Sequence, residues 1–128
     1  MIADKIQSTI LFLKTRDLAV TTDYYTRVFG FRLVLDQGAC RIFAVRPGAY
    51  IGFCRTDEPT GTPQVILTLV VADVDAACAA LEEAGAQIEV RPRFNPQYNI
   101  YQFFARDPNG YLIEVQRFLD PNWTPDLF

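Results

Sequence analysis

Residues 103–116 run FFARDPNGYLIEVQ, and this stretch decides the fold of the chain. Pro108 presets φ for the second position of a turn, and Asn109-Gly110 tolerates the positive φ that follows. The runs on either side are rich in aromatic and β-branched residues, which predicts a β-hairpin. One carboxylate, Glu114, stands among apolar residues of the second strand, so its partner is the first functional question.

The composition is that of one globular domain, or of two small modules that share a core. Of the 128 residues, 50% are hydrophobic and 21% are charged, which is ordinary for a soluble chain. The net charge of −3 and the lack of a Lys/Arg cluster argue against nucleic acid as a partner. The first residues do not form a signal peptide, and no apolar run could span a bilayer. We therefore predict a cytoplasmic protein without a membrane partner.

Histidine is absent from the sequence. Its absence removes the usual general base near neutral pH and excludes Ser-His and Cys-His nucleophile systems. The three cysteines, Cys40, Cys54 and Cys78, lie in apolar runs without metal-like spacing. We expect them to be reduced, mostly buried thiols.

An internal repeat organises the chain. Residues 11–20 match residues 67–76 with an offset of 56, the difference between 73 and 17, and Asp17 and Asp73 each precede a helical pattern as N-caps. We predict a first βαβββ module over 1–56, a Pro/Gly-rich linker over 57–63, and a second βαβββ module with a C-terminal tail over 64–128. Since neither module can bury its sheet alone, the expected fold is α+β, with both modules pairing into a cup-shaped mixed sheet and the helices on its convex face.

The predicted elements follow this repeat. Residues 91–99 are predicted as a loop, either a lid over the cup or a solvated connection, and residues 118–128 as an irregular tail. In that tail, Trp123 and Phe128 are expected to cover the cup mouth or a partner subunit. Strands are predicted over 6–15, 31–36, 40–46, 50–56, 64–72, 87–90, 100–105 and 111–117, and helices over 18–29 and 74–84.

Four motifs make the chain resemble the vicinal oxygen chelate superfamily, which includes glyoxalase I, extradiol dioxygenases, fosfomycin-resistance enzymes and bleomycin-resistance proteins. The resemblance covers nearly the whole chain, and the order of the motifs on a tandem repeat supports the same fold. The motifs are KTRDL at 14–18, DYYTRVFGF at 23–31, VVADVDAA at 70–77 and FARDPNGYLIE at 104–114.

In this family the chemistry usually rests on a divalent metal held by ligands from four strands. Carried over position by position, the ligand slots fall here at Ile10, Gly52, Ile66 and Glu114. Ile and Gly cannot ligate through side chains, and one carboxylate does not hold a catalytic metal. The resemblance therefore implies no metal, no cofactor and a similarity to the bleomycin-resistance proteins, which sequester a drug in the grooves of a homodimer.

Strand alternation divides the side chains between the two faces of the sheet. If Glu114 points into the cup, the cup holds aromatics with a few polar groups, which is typical of a small-molecule pocket. The apolar outward set, which includes Ile42 and Phe53, would then pack under the helices. The predicted ligand-binding residues, with one loop and one tail aromatic added, are Phe12, Arg41, Phe43, Tyr50, Cys54, Thr68, Tyr98, Gln102, Phe104, Glu114 and Trp123.

Three functions are compatible with this pattern. The favoured one is a metal-free protein that binds a small aromatic or amphipathic molecule, with antibiotic sequestration as one form. The second is a metal-independent lyase or isomerase in which Glu114 is the acid/base and Arg41 or Gln102 orients the substrate. The third is a ligand-free dimeric module whose cup is filled by its own aromatics. In each case a buried Glu114 needs a companion, predicted to be Arg41 or Gln102.

Overall fold

A computed structural model describes residues 1–125 and places one four-stranded sheet and one helix in each half of the chain. The chain divides into two compact units between Thr60 and Gly61, inside the segment 57–63 expected to be a linker. Each unit has the order strand, helix, strand, strand, strand. The predicted α+β class with two tandem βαβββ modules is confirmed.

The first module forms a sheet of order β1-β4-β3-β2, in which β1 and β4 are parallel and the other pairs antiparallel. A short 3-10 turn at Ile2–Lys5 precedes the sheet. The elements are β1 (Thr9–Thr15), α1 (Leu18–Asp23) with a π-helical extension (Tyr24–Val28), β2 (Arg32–Asp36), β3 (Cys40–Arg46) and β4 (Ala49–Arg55).

The second module repeats this topology with the order β5-β8-β7-β6, where β5 and β8 are parallel. Its elements are β5 (Ile66–Val70), α2 (Val74–Glu83), β6 (Gln87–Asn95), β7 (Ile100–Arg106) and β8 (Leu112–Phe118).

Both helices begin as the repeat predicts. The Asp17 carboxylate accepts a hydrogen bond of 3.0 Å from the Val20 amide, and the Asp73 carboxylate accepts one of 3.0 Å from the Ala76 amide. Each cap satisfies an amide that has no partner within the first helical turn. Gly30, with φ of +74°, then turns the chain after the first helix, a conformation that favours glycine.

Each sheet packs one face against its own helix. In the first module the Tyr25 ring stacks on Phe53 with centroids 5.0 Å apart, and both side chains are fully buried. In the second module Val74 and Cys78 of α2 are buried together with Phe103 of β7. Burial of such aromatic and aliphatic side chains is the main stabilising contribution in either unit.

The hairpin of residues 103–116 forms as predicted. Asp107 is almost fully buried, and its Oδ1 accepts hydrogen bonds from the amides of Asn109 and Tyr111 at 2.9 and 2.8 Å. Gly110 has φ of +87°. The turn therefore fixes the start of β8, and with it the position of Glu114.

The predicted loop over 91–99 is wrong for its first half, because β6 continues to Asn95. Pro92 suggested a break, since proline has no N–H for a ladder. However, β6 is an edge strand that pairs only with β7, and an edge strand tolerates proline. Only the short turn before Ile100 remains outside the strands, with Asn99 at φ of +54°.

The prediction of reduced thiols is wrong for two of the three cysteines. Cys40 of β3 and Cys54 of β4 face each other across the sheet, with Cα atoms 4.1 Å apart, and form a disulfide. Cys78 is free and buried, as expected. The reduced thiols were part of the case for a cytoplasmic location, and the disulfide removes that support. No helix within residues 1–125 has the length and apolar character to cross a membrane.

Candidate functional site

The side of each sheet that is not packed on its helix is called here the helix-free face. Strand register assigns residues to it, because directly opposed residues share a face. In the first module Phe12 pairs with Gly52 and Ile42 pairs with Gly52 from the other side. In the second module Thr68 and Phe104 flank Glu114 in the same way.

The predicted placement of Arg41 and Phe43 in the cup is wrong. Phe43 is fully buried, with its ring 6.3 Å from that of Tyr25, and Arg41 Nη1 donates to Thr22 Oγ1 at 2.9 Å. Both therefore face the helix of the first module. Ile42, which was expected under the helix, lies instead on the helix-free face. The register shift between Ala44 and Arg46 explains the error, since one extra residue reverses the alternation.

Arg41 is also not the companion of Glu114 that the sequence suggested. Its guanidinium is committed within the first module, where it contacts Thr22 and forms an ion pair with Asp36 at 3.4 Å. The other predicted companion, Gln102, donates a hydrogen bond to Glu114.

The centre of the helix-free face of the first module is apolar. The Phe12 ring lies over Gly52 so closely that a Cβ atom at position 52 would be 2.5 Å from Phe12 Cε1. Beside it is a depression of about 260 Å³. Cys54 shares this face but is held in the disulfide, so it presents no thiol. The depression is lined by Ser8, Ile10, Val34, Leu35, Ile42 and Tyr50.

The helix-free face of the second module carries a hydrogen-bonded row centred on Glu114. Thr68 Oγ1 donates to Glu114 Oε1 at 2.9 Å, and Gln102 Nε2 donates to Glu114 Oε2. Asn95 Nδ2 in turn donates to Gln102 Oε1 at 2.7 Å. Because its Oε1 is already engaged by Asn95, the Gln102 amide can only present its N–H to the carboxylate. The row therefore orients both oxygens of Glu114.

The sequence correctly predicted that Thr68, Gln102, Phe104 and Glu114 share a face; their role in ligand binding stays a prediction. Two members of the site were missed. Asn95 was assigned to a loop, and only the β6–β7 pairing brings it to Gln102. Gln116 was not proposed as a site residue.

Gln116 is 6% exposed, and its Oε1 is buried without a hydrogen-bond partner among residues 1–125. It lies two residues beyond Glu114 on β8 and opposes Gln102 and Val70. A buried acceptor without a partner is costly. This oxygen and the Glu114 carboxylate therefore give one face two acceptors at successive positions.

Two further predicted site residues belong to the second module. Tyr98 is in the turn between β6 and β7, is 64% exposed and accepts a hydrogen bond from Gln97 Nε2 at 3.2 Å. Trp123 stacks on Phe118 with centroids 4.2 Å apart. Phe128, expected to act with Trp123, falls outside the described residues.

Ion pairs at the surface of the second module shift several pKa values. The hydrogen bond from Arg91 lowers the pKa of Glu82, and the hydrogen bond from Arg106 lowers the pKa of Glu89. Under the sheet, desolvation raises the pKa of the Cys78 thiol, which favours an inert thiol. These shifts belong to paired or buried groups away from Glu114.

The residues present do not fit a catalytic metal. Three of the four expected ligand slots hold Ile10, Gly52 and Ile66, and Phe12 covers Gly52. Both oxygens of Glu114 already accept hydrogen bonds. Within residues 1–125 no three His, Cys, Asp or Glu side chains cluster to hold an ion. We therefore assign no metal-dependent step to this chain.

Comparison with known proteins agrees with this fold. The model of the Glyoxalase/Bleomycin resistance protein/Dioxygenase superfamily matches residues 6–115. The chain belongs to this superfamily. No curated protein sequence matches it significantly.

Several solved structures are similar in fold. A glyoxalase/bleomycin resistance protein/dioxygenase from Nocardioides is 20% identical, with a TM-score of 0.78 over 89% of this chain and 84% of that one. TioX from Micromonospora sp. ML1 is 28% identical, with a TM-score of 0.73 over 88% of this chain and 98% of that one. A V. Cholerae integron cassette protein is 24% identical, with a TM-score of 0.69 over 87% and 94% of the two chains.

Proposed function

We propose that this protein binds a small aromatic or amphipathic molecule without a metal, on the helix-free face of the second module. Glu114 is the polar anchor of the ligand. The observation that carries the proposal is the Glu114 carboxylate, held on one oxygen by Thr68 and on the other by Gln102.

A carboxylate held in this way is organised before the ligand arrives. Each of its oxygens has a second lone pair that can accept a hydrogen bond from a ligand. Because Asn95 and Gln102 already fix the geometry, little side-chain freedom is lost on binding, which favours affinity and specificity.

Apolar side chains surround the anchor. Ile66 and Val70, two residues before and two residues after Thr68 on β5, are 48% and 49% exposed. Phe104 is directly opposite Glu114 on β7 and is partly exposed. One polar anchor with apolar and aromatic neighbours is the usual composition of a small-molecule site.

Antibiotic sequestration by a homodimer is the finer form of the proposal. It is supported by membership of a superfamily that includes bleomycin resistance proteins. The acid/base role of Glu114 in a lyase or isomerase stays a prediction, as does pairing of the two modules around a common cup. A cytoplasmic location also stays a prediction, and it would expose the Cys40–Cys54 disulfide to reduction.

Thermal-shift screening of the full chain against planar aromatic compounds that carry a hydrogen-bond donor tests the proposal. A compound that binds only the folded protein raises its melting temperature. We expect Thr68→Val to weaken binding of any hit, because one support of Glu114 is lost. Thr22→Val, which removes a hydroxyl that takes part in one side-chain hydrogen bond in the first module, is the matched control.

Two results would contradict the proposal. One is a screen in which no compound shifts the melting temperature at about 1 mM, the weak end of specific binding. The other is a hit whose affinity responds equally to Thr68→Val and Thr22→Val, which would place the ligand away from the Glu114 row.

A further inference from the structure

We infer that the head group recognised by Glu114 is an organic cation, namely a protonated amine, an amidinium or a guanidinium, carried on an apolar or aromatic body. This inference rests on the proposed function and names the chemical class of the ligand. It follows from the charges and acceptors on the helix-free face of the second module.

Glu114 is a carboxylate whose partners are all neutral. Within residues 1–125 its hydrogen bonds come from a hydroxyl, that of Thr68, and from an amide, that of Gln102. These bonds orient the negative charge but do not neutralise it. No Lys or Arg in the described part of the chain forms an ion pair with Glu114.

The other glutamates near this sheet are different. Glu89 is bridged by Arg106 through two hydrogen bonds of 2.8 and 2.9 Å, and Glu82 is paired with Arg91. The Glu82–Arg91 pair is more than half exposed to solvent, where a counter-ion matters least, and the Glu89–Arg106 pair is about 40% exposed. The partly buried Glu114 is the one for which a counter-ion would matter most, since attraction grows as solvent is excluded.

The cationic side chains closest to Glu114 in strand register are either bound by other residues or located on the edge strand of the sheet. Arg106 is on β7, and its guanidinium is held by Glu89 and by the Gly110 carbonyl. Arg93 opposes Gln102 from the edge strand β6 and is exposed. Arg93 is the cation on this face that an external cation would compete with for Glu114.

Two acceptors lie next to each other at the centre of this face. Gln102 gives one N–H of its amide to Glu114, and Gln116 Oε1 next along β8 is buried without a donor among residues 1–125. A head group with several N–H donors and a positive charge suits two adjacent acceptors. Hydrogen bonds between such a group and a carboxylate are shorter and roughly twice as strong as neutral ones. Ile66, Val70 and Phe104 then contact the apolar body.

Three probes with one ring system separate charge from shape: naphthylmethylammonium, naphthylmethanol and naphthoate. Calorimetric titration of the full chain near pH 7 gives their dissociation constants. We expect the ammonium to bind about 10-fold or more tightly than the alcohol, and naphthoate to bind weakest. Glu114→Gln keeps the side-chain shape and should remove the preference to within roughly threefold.

Two further variants control for trivial causes. Glu89→Gln removes one negative charge from the same sheet, so it should keep the preference if the effect is local to Glu114. Arg93→Gln should leave the preference unchanged or increase it. A preference that arises only in Arg93→Gln would identify Arg93 as the natural counter-ion and would overturn the inference.

The remaining outcomes distinguish this inference from the proposed function. If the ammonium and the alcohol bind equally well and Glu114→Gln weakens both to the same extent, the ligand is not selected by charge and the inference is wrong, although the site stands. If none of the three probes binds at about 1 mM, the proposed function falls, and the inference falls with it.

Discussion

The two modules have the same strand order, but the centres of their helix-free faces differ in chemistry. At the centre of the first face Phe12 lies over Gly52, and in the second the equivalent parallel pair is Thr68 and Glu114. In the first module the Phe12 ring covers position 52. The second presents a carboxylate held by hydrogen bonds. The repeat therefore preserves the scaffold, while the side chains of one row differ between the modules.

The cores between sheet and helix should respond alike to mutation in the two modules. Mutations there should give the largest loss of stability. Phe53 and Phe103 are each fully buried against the helix of their module. Phe53→Ala and Phe103→Ala should each lower the free energy of unfolding by about 3–5 kcal/mol, because each leaves a large cavity. Urea denaturation followed by circular dichroism measures both values. Losses that differ by more than the spread of this range, about 2 kcal/mol, would break the comparison of the two cores.

A covalent link distinguishes the first module. Reduction of the Cys40–Cys54 disulfide, which closes a loop with a sequence separation of 14, should lower the free energy of unfolding by about 3 kcal/mol, since the unfolded chain regains entropy. Denaturation with and without a reductant measures the change. The double variant Cys40→Ser/Cys54→Ser is the control and should not respond to the reductant. An equal response in both proteins would mean that the effect does not come from this bond.

Mutation of the Phe12–Gly52 pair should change the free energy of unfolding by a smaller amount. Gly52→Ala places a methyl group against the Phe12 ring and should cost about 1–2 kcal/mol. In the Phe12→Ala background the same change should cost about 1 kcal/mol less, because the obstructing ring is absent. A double-mutant cycle from thermal or urea unfolding gives the coupling. Simple additivity would show that Phe12 moves aside without cost, and that the first face is more open than the structure indicates.

The exposed Glu82–Arg91 pair should make the smallest contribution to the free energy of unfolding, and this contribution depends on pH. The hydrogen bond from Arg91 lowers the pKa of Glu82. A lowered carboxyl pKa contributes stability above the pKa of the unfolded chain, and this contribution is lost as the pH falls through the folded-state pKa. Arg91→Gln should return the pKa of Glu82, measured by NMR titration, to its ordinary range. An unchanged pKa would mean that the pair does not persist in solution.

Local signals in the sequence were sufficient for the scaffold. The caps at Asp17 and Asp73 and the hairpin around Asp107 depend on neighbours within four residues. Alternation along β5, β7 and β8 also placed Thr68, Gln102 and Glu114 on one face. It succeeded there because the β7–β8 hairpin keeps a regular register from Ile100 to Phe118.

Non-local pairing explains the errors. The register shift between Ala44 and Arg46 moved Arg41 and Phe43 under the helix, and no local residue pattern announces such a shift. The Cys40–Cys54 disulfide depends on the same register. Asn95 reached the site only because an edge strand accommodates Pro92.

The sequence by itself determined the tandem repeat, the turns and caps, and the lack of metal-ligating side chains at Ile10, Gly52 and Ile66, because these are properties of local segments and of residue chemistry. Tertiary structure alone decided that Gln102 rather than Arg41 supports Glu114, and that Asn95 supports Gln102. The physical reason is that strand register is set by pairing between distant segments, and a shift of one residue exchanges the two faces of a strand.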